Sequence, residues 1–159
     1  MFETRYLKPK GGVAHVALHA ADAVGSLAVE DDGCRVRFTD VPLEVSLADE
    51  CSLFEEQLST DGGVVEVCHR LTLVADRNFA QPWLDDDFLN RATCEGLVAE
   101  VTLCDSRRLL VGYSLRLASE QPLRLRSLIA GSGVRANDTP TLTLSLESID
   151  AEMAMPIAD

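Results

Sequence analysis

The longest alternation of apolar and polar positions in the chain runs from Val65 to Ala75. Apolar side chains and one histidine, His69, share one face of this segment, and mostly polar side chains share the other. A period of two is typical of a β-strand that buries one face. The turn sequence at residues 60–63 precedes it, so residues 51–58 are predicted to form the other strand of a hairpin.

Two further hairpins are predicted by the same period. One joins the residues around Leu27 to those around Phe38 through an Asp-Asp-Gly turn. The other joins residues 97–103 to residues 109–117 through an Asp-Ser turn, and it is predicted to be the best-formed hairpin of the chain. Shorter alternating segments occur at residues 43–47 and 142–146.

Pro122 precedes another alternating segment, in which Arg124 and Arg126 lie opposite Leu123 and Leu125. Proline has no backbone N–H to donate to a ladder, so this strand is predicted to lie at a sheet edge or to be bent. We expect its leucines to face the core and its arginines to face outwards. The arginines are therefore candidates for an interface with a neighbouring molecule.

Two regions depart from this pattern. Residues 13–23 are compatible with either an extended segment or a short helix. Residues 82–94 have helical spacing, with acidic residues at the start and Gly96 after the end, and predict one helix. Together the segments predict one mainly β domain over residues 1–159, an antiparallel sandwich or partly closed barrel of about 8–10 strands with the helix packed on it. Residues 1–24 and 151–159 are possible arms.

Charge and cysteine content narrow the possible functions. The formal net charge is −12, so the molecule repels phosphate backbones and anionic membranes, and we expect neither sequence-specific nucleic-acid binding nor membrane association. The five cysteines are widely spaced without a CxxC pair, which favours a reducing compartment. The start of the chain lacks the pattern of a signal peptide, so we expect a cytoplasmic location in the producing cell.

Histidines supply the first candidates for chemistry. His15 and His19 are four residues apart, as two metal ligands on one helical turn would be, and Asp22 is a possible third ligand. This spacing is common by chance, so no metal site is predicted. Cys68 and His69 are neighbours in a predicted strand and point to opposite faces, which prevents direct pairing as nucleophile and base. His69 is predicted to be a core or interface histidine.

Other polar groups also favour structural roles. Three consecutive aspartates, residues 85–87, spread around a helix and cannot converge on one cation, so they are predicted to form a solvated helix start. The segment from Gly131 to Arg135, with Ser132 and Gly133, has the composition of an anion-binding loop but lacks a following helix and a lysine. We interpret it as a loop that contacts neighbouring molecules. No catalytic residue, metal or cofactor is predicted.

The elements between about residues 64 and 150 follow one another in a recognisable order. They are a strand over 64–76, a helix ending at Gly96, a hairpin over 97–117 with Leu110-Val111-Gly112-Tyr113-Ser114, then Glu120-Gln121-Pro122-Leu123-Arg124-Leu125, Ser132-Gly133, and Thr139-Pro140-Thr141-Leu142-Thr143-Leu144. This order resembles that of small structural proteins encoded among the tail genes of tailed bacteriophages and prophages. The first 60 residues show no such resemblance.

The resemblance implies a definite role. Tail-tube and related tail proteins share a β sandwich or barrel with one flanking helix, assemble into rings and do no chemistry. By this resemblance the chain is expected to be a non-enzymatic subunit of a homo-oligomeric ring, with itself and other tail or virion proteins as partners. Its expected location is the cytoplasm of the producing cell and then the virion or tail-like particle. The expected interface residues are Arg124, Arg126, Ser132, Gly133 and Arg135.

Two other functions remain open on the sequence. A small-ligand or peptide-binding β barrel would hold an apolar ligand between the sheet and the helix. An enzyme of another kind would need His15, His19 or His69 to meet a carboxylate in a cleft.

Overall fold

A computed structural model describes residues 12–47, 52–76, 84–132, 134–137 and 140–158. The described chain is mainly β, with ten strands of three or more residues, in agreement with the number predicted. The elements are β1 Val13–Ala20, β2 Val24–Glu30, β3 Gly33–Phe38, β4 Leu43–Val45, β5 Leu53–Asp61, β6 Val64–Asp76, α1 Asp86–Asn90, β7 Leu97–Leu103, β8 Arg108–Val111, β9 Tyr113–Ser114, β10 Ser119–Glu120, β11 Arg124–Gly131, β12 Thr141–Asp150 and β13 Met155–Pro156.

The predicted central strand is β6, and it lies inside a four-stranded antiparallel sheet of order β11-β12-β6-β5. Every second residue of β6 from Val67 to Ala75 is buried, including His69. β12 alternates in the same way, with Leu142, Leu144 and Leu146 inside. The alternation therefore confirms the prediction that these strands bury one face.

A second antiparallel sheet has the order β13-β8-β7-β1-β4. β1 settles the open assignment of the residues after position 12, because Val13–Ala20 is a strand that pairs with both β4 and β7. Val16 and Leu18 of β1 face the four-stranded sheet and are fully or almost fully buried. The two sheets face each other across one apolar core, so the domain is a β sandwich.

The predicted helix is shorter than the segment proposed for it. α1 is followed by one π-helical turn, Arg91–Glu95, and Gly96 ends the helical segment; residues 82 and 83 lie outside the described residues. Asp85 caps the helix, because its carboxylate accepts a hydrogen bond of 2.8 Å from the backbone N–H of Phe88. Phe88 and Ala92 pack into the core of the sandwich. The acidic start is thus a helix cap, as the structural interpretation of residues 85–87 requires.

The hairpin of β2 and β3 forms a third layer that the sequence did not predict. It packs on the outer face of the five-stranded sheet, where Cys34 meets Val98 and Leu110 in a second, smaller apolar cluster. The C-terminal segment adds to this layer: β13 pairs with the edge of β8, and Ala158 donates its N–H to the carbonyl of Cys34 over 2.8 Å. Residues 151–158 therefore lie along the domain itself, and their proposed role as an arm stays a prediction.

The strand predicted over residues 109–117 is broken, which corrects the sequence prediction. Gly112 has a φ of +100°, and β8 ends immediately before it. The chain then forms the short strand β9 and a turn, so Tyr113 and Leu115 pack on the outer cluster and Leu117 is half exposed. The alternation of apolar residues in the sequence gives no sign of this break, because a local kink in the backbone does not change which residues are apolar.

Gly112 also provides a test of the fold. A Cβ atom at this position would lie 2.8 Å from the carbonyl oxygen of Leu97, whereas one at Gly63, where φ is +85°, would meet nothing within 4 Å. Both alanine substitutions cost about 1–2 kcal/mol for a left-handed backbone. We expect Gly112→Ala to lower the free energy of unfolding by a further 1–3 kcal/mol, roughly, because of the clash. Equal losses for Gly112→Ala and Gly63→Ala in urea denaturation would contradict this account.

Candidate assembly interface

In the described residues, each edge of the four-stranded sheet is a strand that forms a ladder on one side only, and the helical segment Arg91–Glu95 packs beside β11. Within the described residues, β11 forms its ladder with β12, and β5 forms its ladder with β6. The outward N–H and C=O groups of an edge strand are free to pair with another chain. The two edges β11 and β5 are therefore the candidate assembly interface.

β11 carries two of the residues expected at an interface. Leu123 is fully buried and Leu125 packs against the core, whereas Arg124 and Arg126 are exposed, so the predicted division of faces is confirmed. A β-bulge interrupts the register between Leu125 and Ser127 and leaves Arg126 as the extra residue. The edge position and the bend that Pro122 predicted are both present.

The arginines join a row of charges on the outer face of the sheet. Glu147 of β12 accepts a hydrogen bond of 3.0 Å from Nε of Arg70, and its other oxygen lies 3.7 Å from Nε of Arg126. Arg124 lies opposite Glu147 in the ladder, and Arg70 lies opposite Glu55 of β5. Positive and negative residues thus alternate across all four strands. The row begins with arginine at the β11 edge and ends with glutamate at the β5 edge.

Ser132 and Arg135, two other residues expected at the interface, follow the end of β11. Both are exposed, as is Val134 between them. Gly133 lies outside the described residues. Arg124 and Arg126 thus lie on one strand, and Ser132 and Arg135 follow it in the chain.

The β5 edge was not expected from the sequence. All residues from 57 to 66 are exposed, because β12 pairs with β6 only as far as Val67 and the tip of the β5–β6 hairpin extends beyond it. The tip carries exposed apolar side chains, including Leu58, which is 54% exposed. Its polar residues include Glu55 and Asp61, so this edge is acidic where the β11 edge is basic. Only the order of strands identifies it as an edge.

A buried ionic cluster lies between the second and third layers. The ring of His19 stacks on Phe38 with centroids 3.5 Å apart, and its Nδ1 lies 2.7 Å from Oδ1 of Asp40. Nε2 has no hydrogen-bond partner and lies 3.9 Å from Glu100, an ionic contact rather than a hydrogen bond. Glu100 also lies 3.7 Å from Arg108. The side chain of His19 is only 2% exposed, whereas Asp40, Glu100 and Arg108 are partly exposed, so the cluster links the five-stranded sheet to the third layer at its margin.

The cluster shifts the pKa values of its members. Burial alone lowers the pKa of His19, but the carboxylates of Glu100 and Asp40 outweigh it and raise the pKa above 6.5. The neighbouring imidazole of His19 lowers the pKa of Glu100 below 4.5. The ionised pair is therefore favoured near neutral pH.

We expect the stability of the protein to fall as this histidine loses its proton. Because the pKa of His19 is higher in the folded chain, its stabilising contribution is complete below pH 6.5 and disappears as pH rises through the folded pKa. Urea denaturation between about pH 6 and pH 9 should show a decline for the native protein and a flatter curve for His19→Gln. Parallel curves would contradict the role of His19.

His15 and His69 lie in separate surroundings in the described part of the chain. β1 is a strand, so His15 and His19 lack the helical-turn geometry of paired ligands; His15 lies 3.8 Å from Glu44 instead. Within the described ranges, no group of three potential metal ligands converges. His69 is buried with Nε2 3.1 Å from the carbonyl oxygen of Glu152, and Cys68 is on the opposite face, as predicted.

Comparisons with known proteins give no match: no family model, no curated protein and no solved structure resembles this chain significantly. In the part of the chain that the structure describes, no helix has the length and apolar character needed to cross a lipid bilayer.

Proposed function

We propose that this protein is a non-enzymatic structural subunit of a phage tail or tail-like particle and that it assembles into a homo-oligomeric ring. The observation that carries the proposal is the pair of edge strands β11 and β5, on opposite sides of one sheet, each of which forms a ladder on one side only among the described residues. A subunit with two different binding edges makes heterologous contacts, and such contacts generate rings when the rotation closes.

The direction of the strands supports head-to-tail assembly. All three ladders of the sheet are antiparallel, so its first and fourth strands run in opposite directions. When a second copy continues the sheet in the same orientation, its β11 lies antiparallel to β5 of the first copy. Antiparallel pairing is the more favourable ladder and needs no rearrangement of either strand.

The assignment to a tail rests on the resemblance over residues 64–150, and the proposed partners follow from it. They are other copies of the chain and other tail or virion proteins, first in the cytoplasm of the producing cell and then in the particle. Neither sequence-specific nucleic acid nor a membrane is a proposed partner, which agrees with the net charge of −12. The burial of His19 and His69 supports a role without catalysis.

A ligand-binding barrel receives less support. Phe88 and Ala92 of the helical segment fill the space next to the sheet where an apolar ligand was expected. A surface cavity of about 290 Å³ lies elsewhere, between the β2–β3 and β7–β8 turns, and charged residues such as Asp32, Asp105 and Arg107 line it. Such a lining is unlike the apolar pockets that hold small ligands.

Mass measurement tests the proposal directly. Light scattering of the purified full chain should give a multiple of 17.3 kDa, and negative-stain images should show rings or short tubes. A monomer that persists up to high protein concentration would refute the structural role.

A further inference from the structure

We infer that β5 of one copy pairs with β11 of the next in a staggered register that places Asp61 opposite Arg124 and Leu58 opposite Leu128. This inference rests on the proposed assembly and specifies its interface. In this assembly, the β5 edge of each copy binds the β11 edge of another copy of the same chain.

The faces of the two strands limit the possible registers. On β5 the side chains of Leu58 and Thr60 point to the same face as the core residues of β6, and Asp61 points to the other face. On β11 the ladder with β12 places Leu125 and Leu128 on the core face and Arg124 on the outer face. Because adjacent residues alternate between faces, only registers that differ by two residues keep both faces continuous.

Overlap and side-chain chemistry then select one register. In the unshifted register, the row of charges continues straight into the next copy and Glu55 lies opposite Arg124. Only residues 53–55 would then have strand residues opposite them. Before Arg124, Leu123 is already bridged to Leu97, and Pro122 has no N–H to donate. When Asp61 instead of Glu55 lies opposite Arg124, the seven residues 55–61 lie opposite residues 124–131, among which Arg126 is the extra residue of the β-bulge and has no partner.

The same shift matches the exposed groups of the two edges. Leu58 is 54% exposed and Leu128 is 36% exposed in the single chain, and each would cover the other on the core face. On the outer face the carboxylate of Asp61 would meet the guanidinium of Arg124. Intermediate shifts place Glu56 opposite the large apolar side chain of Leu125 or Leu128, whereas the shift to Asp61 places it opposite the small side chain of Ala130, next to the end of β11.

Charge also sets the polarity of the assembly. In a symmetric dimer through β5, the acidic residues Glu55, Glu56 and Asp61 of the two copies would face one another. In a symmetric dimer through β11, Arg124 and Arg126 of the two copies would face one another. Like charges directly opposite each other in a sheet are destabilising. A symmetric dimer through either edge is therefore disfavoured, and the head-to-tail contact is selected.

The stagger is compatible with a closed ring. A shift from Glu55 to Asp61 displaces the next copy by roughly 20 Å along the strand direction. Each copy adds four strands, which span roughly 19 Å in the hydrogen-bonding direction. Strands would then be inclined by about 45° to the ring axis, at the upper end of the range for closed sheets. The unshifted register would leave the strands parallel to the axis, which closed sheets do not favour.

Disulfide trapping tests the register. In the staggered register Ser59 of one copy lies opposite Ser127 of the next on the outer face, whereas the unshifted register places Leu53 there. The full chain is prepared with Ser59→Cys and Ser127→Cys, and the matched control carries Leu53→Cys and Ser127→Cys. Both proteins also carry Cys94→Ser and Cys104→Ser, because those cysteines are exposed. Each single cysteine variant is oxidised in parallel to give the background.

We expect the first protein to form a ladder of cross-linked multimers on mild oxidation, at least tenfold more than its single variants, and the control to remain at background. A ladder in the control alone would overturn the staggered register. Oligomers by light scattering without a ladder in either protein would overturn pairing of these edges and leave the proposed function standing. A monomeric native protein would overturn the proposed function and the register with it.

Discussion

Replacing Leu144 by alanine is expected to lower the free energy of unfolding by about 2–5 kcal/mol. Leu144 is completely buried on β12, directly opposite Leu73 of β6, in the layer of side chains that meets the five-stranded sheet. The substitution removes apolar area from the core and leaves a cavity that two stiff sheets cannot collapse to fill. Urea denaturation followed by circular dichroism measures the loss.

Leu117→Ala is the matched control for this prediction. Leu117 was expected to pair in the return strand of the third hairpin, but it is 50% exposed in the turn that follows β9. Its replacement should change the free energy of unfolding by less than about 0.5 kcal/mol. Similar losses at Leu117 and Leu144 would mean that the strand continues past Gly112 and that the described core is wrong.

Most of the long strands were predictable because the signals for them are local in the sequence. In β6 and β12, the alternation of apolar and polar residues indicates which side chains are buried, and turn residues indicate where each strand ends. The sequence of residues 13–23 was ambiguous because its alanines and histidines suit either a helix or a strand. Pairing of β1 with β4 and β7 decides the matter, and those partners are distant in the chain.

The arrangement of the strands was not predictable, because it depends on contacts between distant segments. No local pattern states that the β2–β3 hairpin packs as a third layer, or that β5 is an edge. The cluster around His19 shows the same limit, since its partners Asp40, after the end of β3, and Glu100, in β7, are distant in the chain. Half of the candidate interface was therefore visible in the sequence, namely Arg124 and Arg126 after Pro122, and the acidic half was not.

Charge reversal at Arg124 is expected to prevent assembly while the subunit stays folded. Arg124 is exposed, and Glu147 opposite it already contacts Arg70 and Arg126, so Arg124→Glu should cost the single subunit no more than about 1 kcal/mol. At the interface the new carboxylate would face Asp61 of the neighbour. Opposed like charges cost several kcal/mol, so the concentration needed for assembly should rise about a hundredfold or more, as measured by light scattering.

Two further variants separate assembly from folding. Arg35→Glu changes the net charge equally and breaks a surface ion pair in which Arg35 lies 2.9 Å from Glu30, but it lies on the third layer away from both edges, so assembly should survive. Adding Asp61→Arg to Arg124→Glu exchanges the charges of the two edges and should restore assembly. Unfolding of Arg124→Glu would show that the assignment of faces on β11 is wrong. If all three variants assemble like the native protein, Arg124 and Asp61 do not lie at the interface.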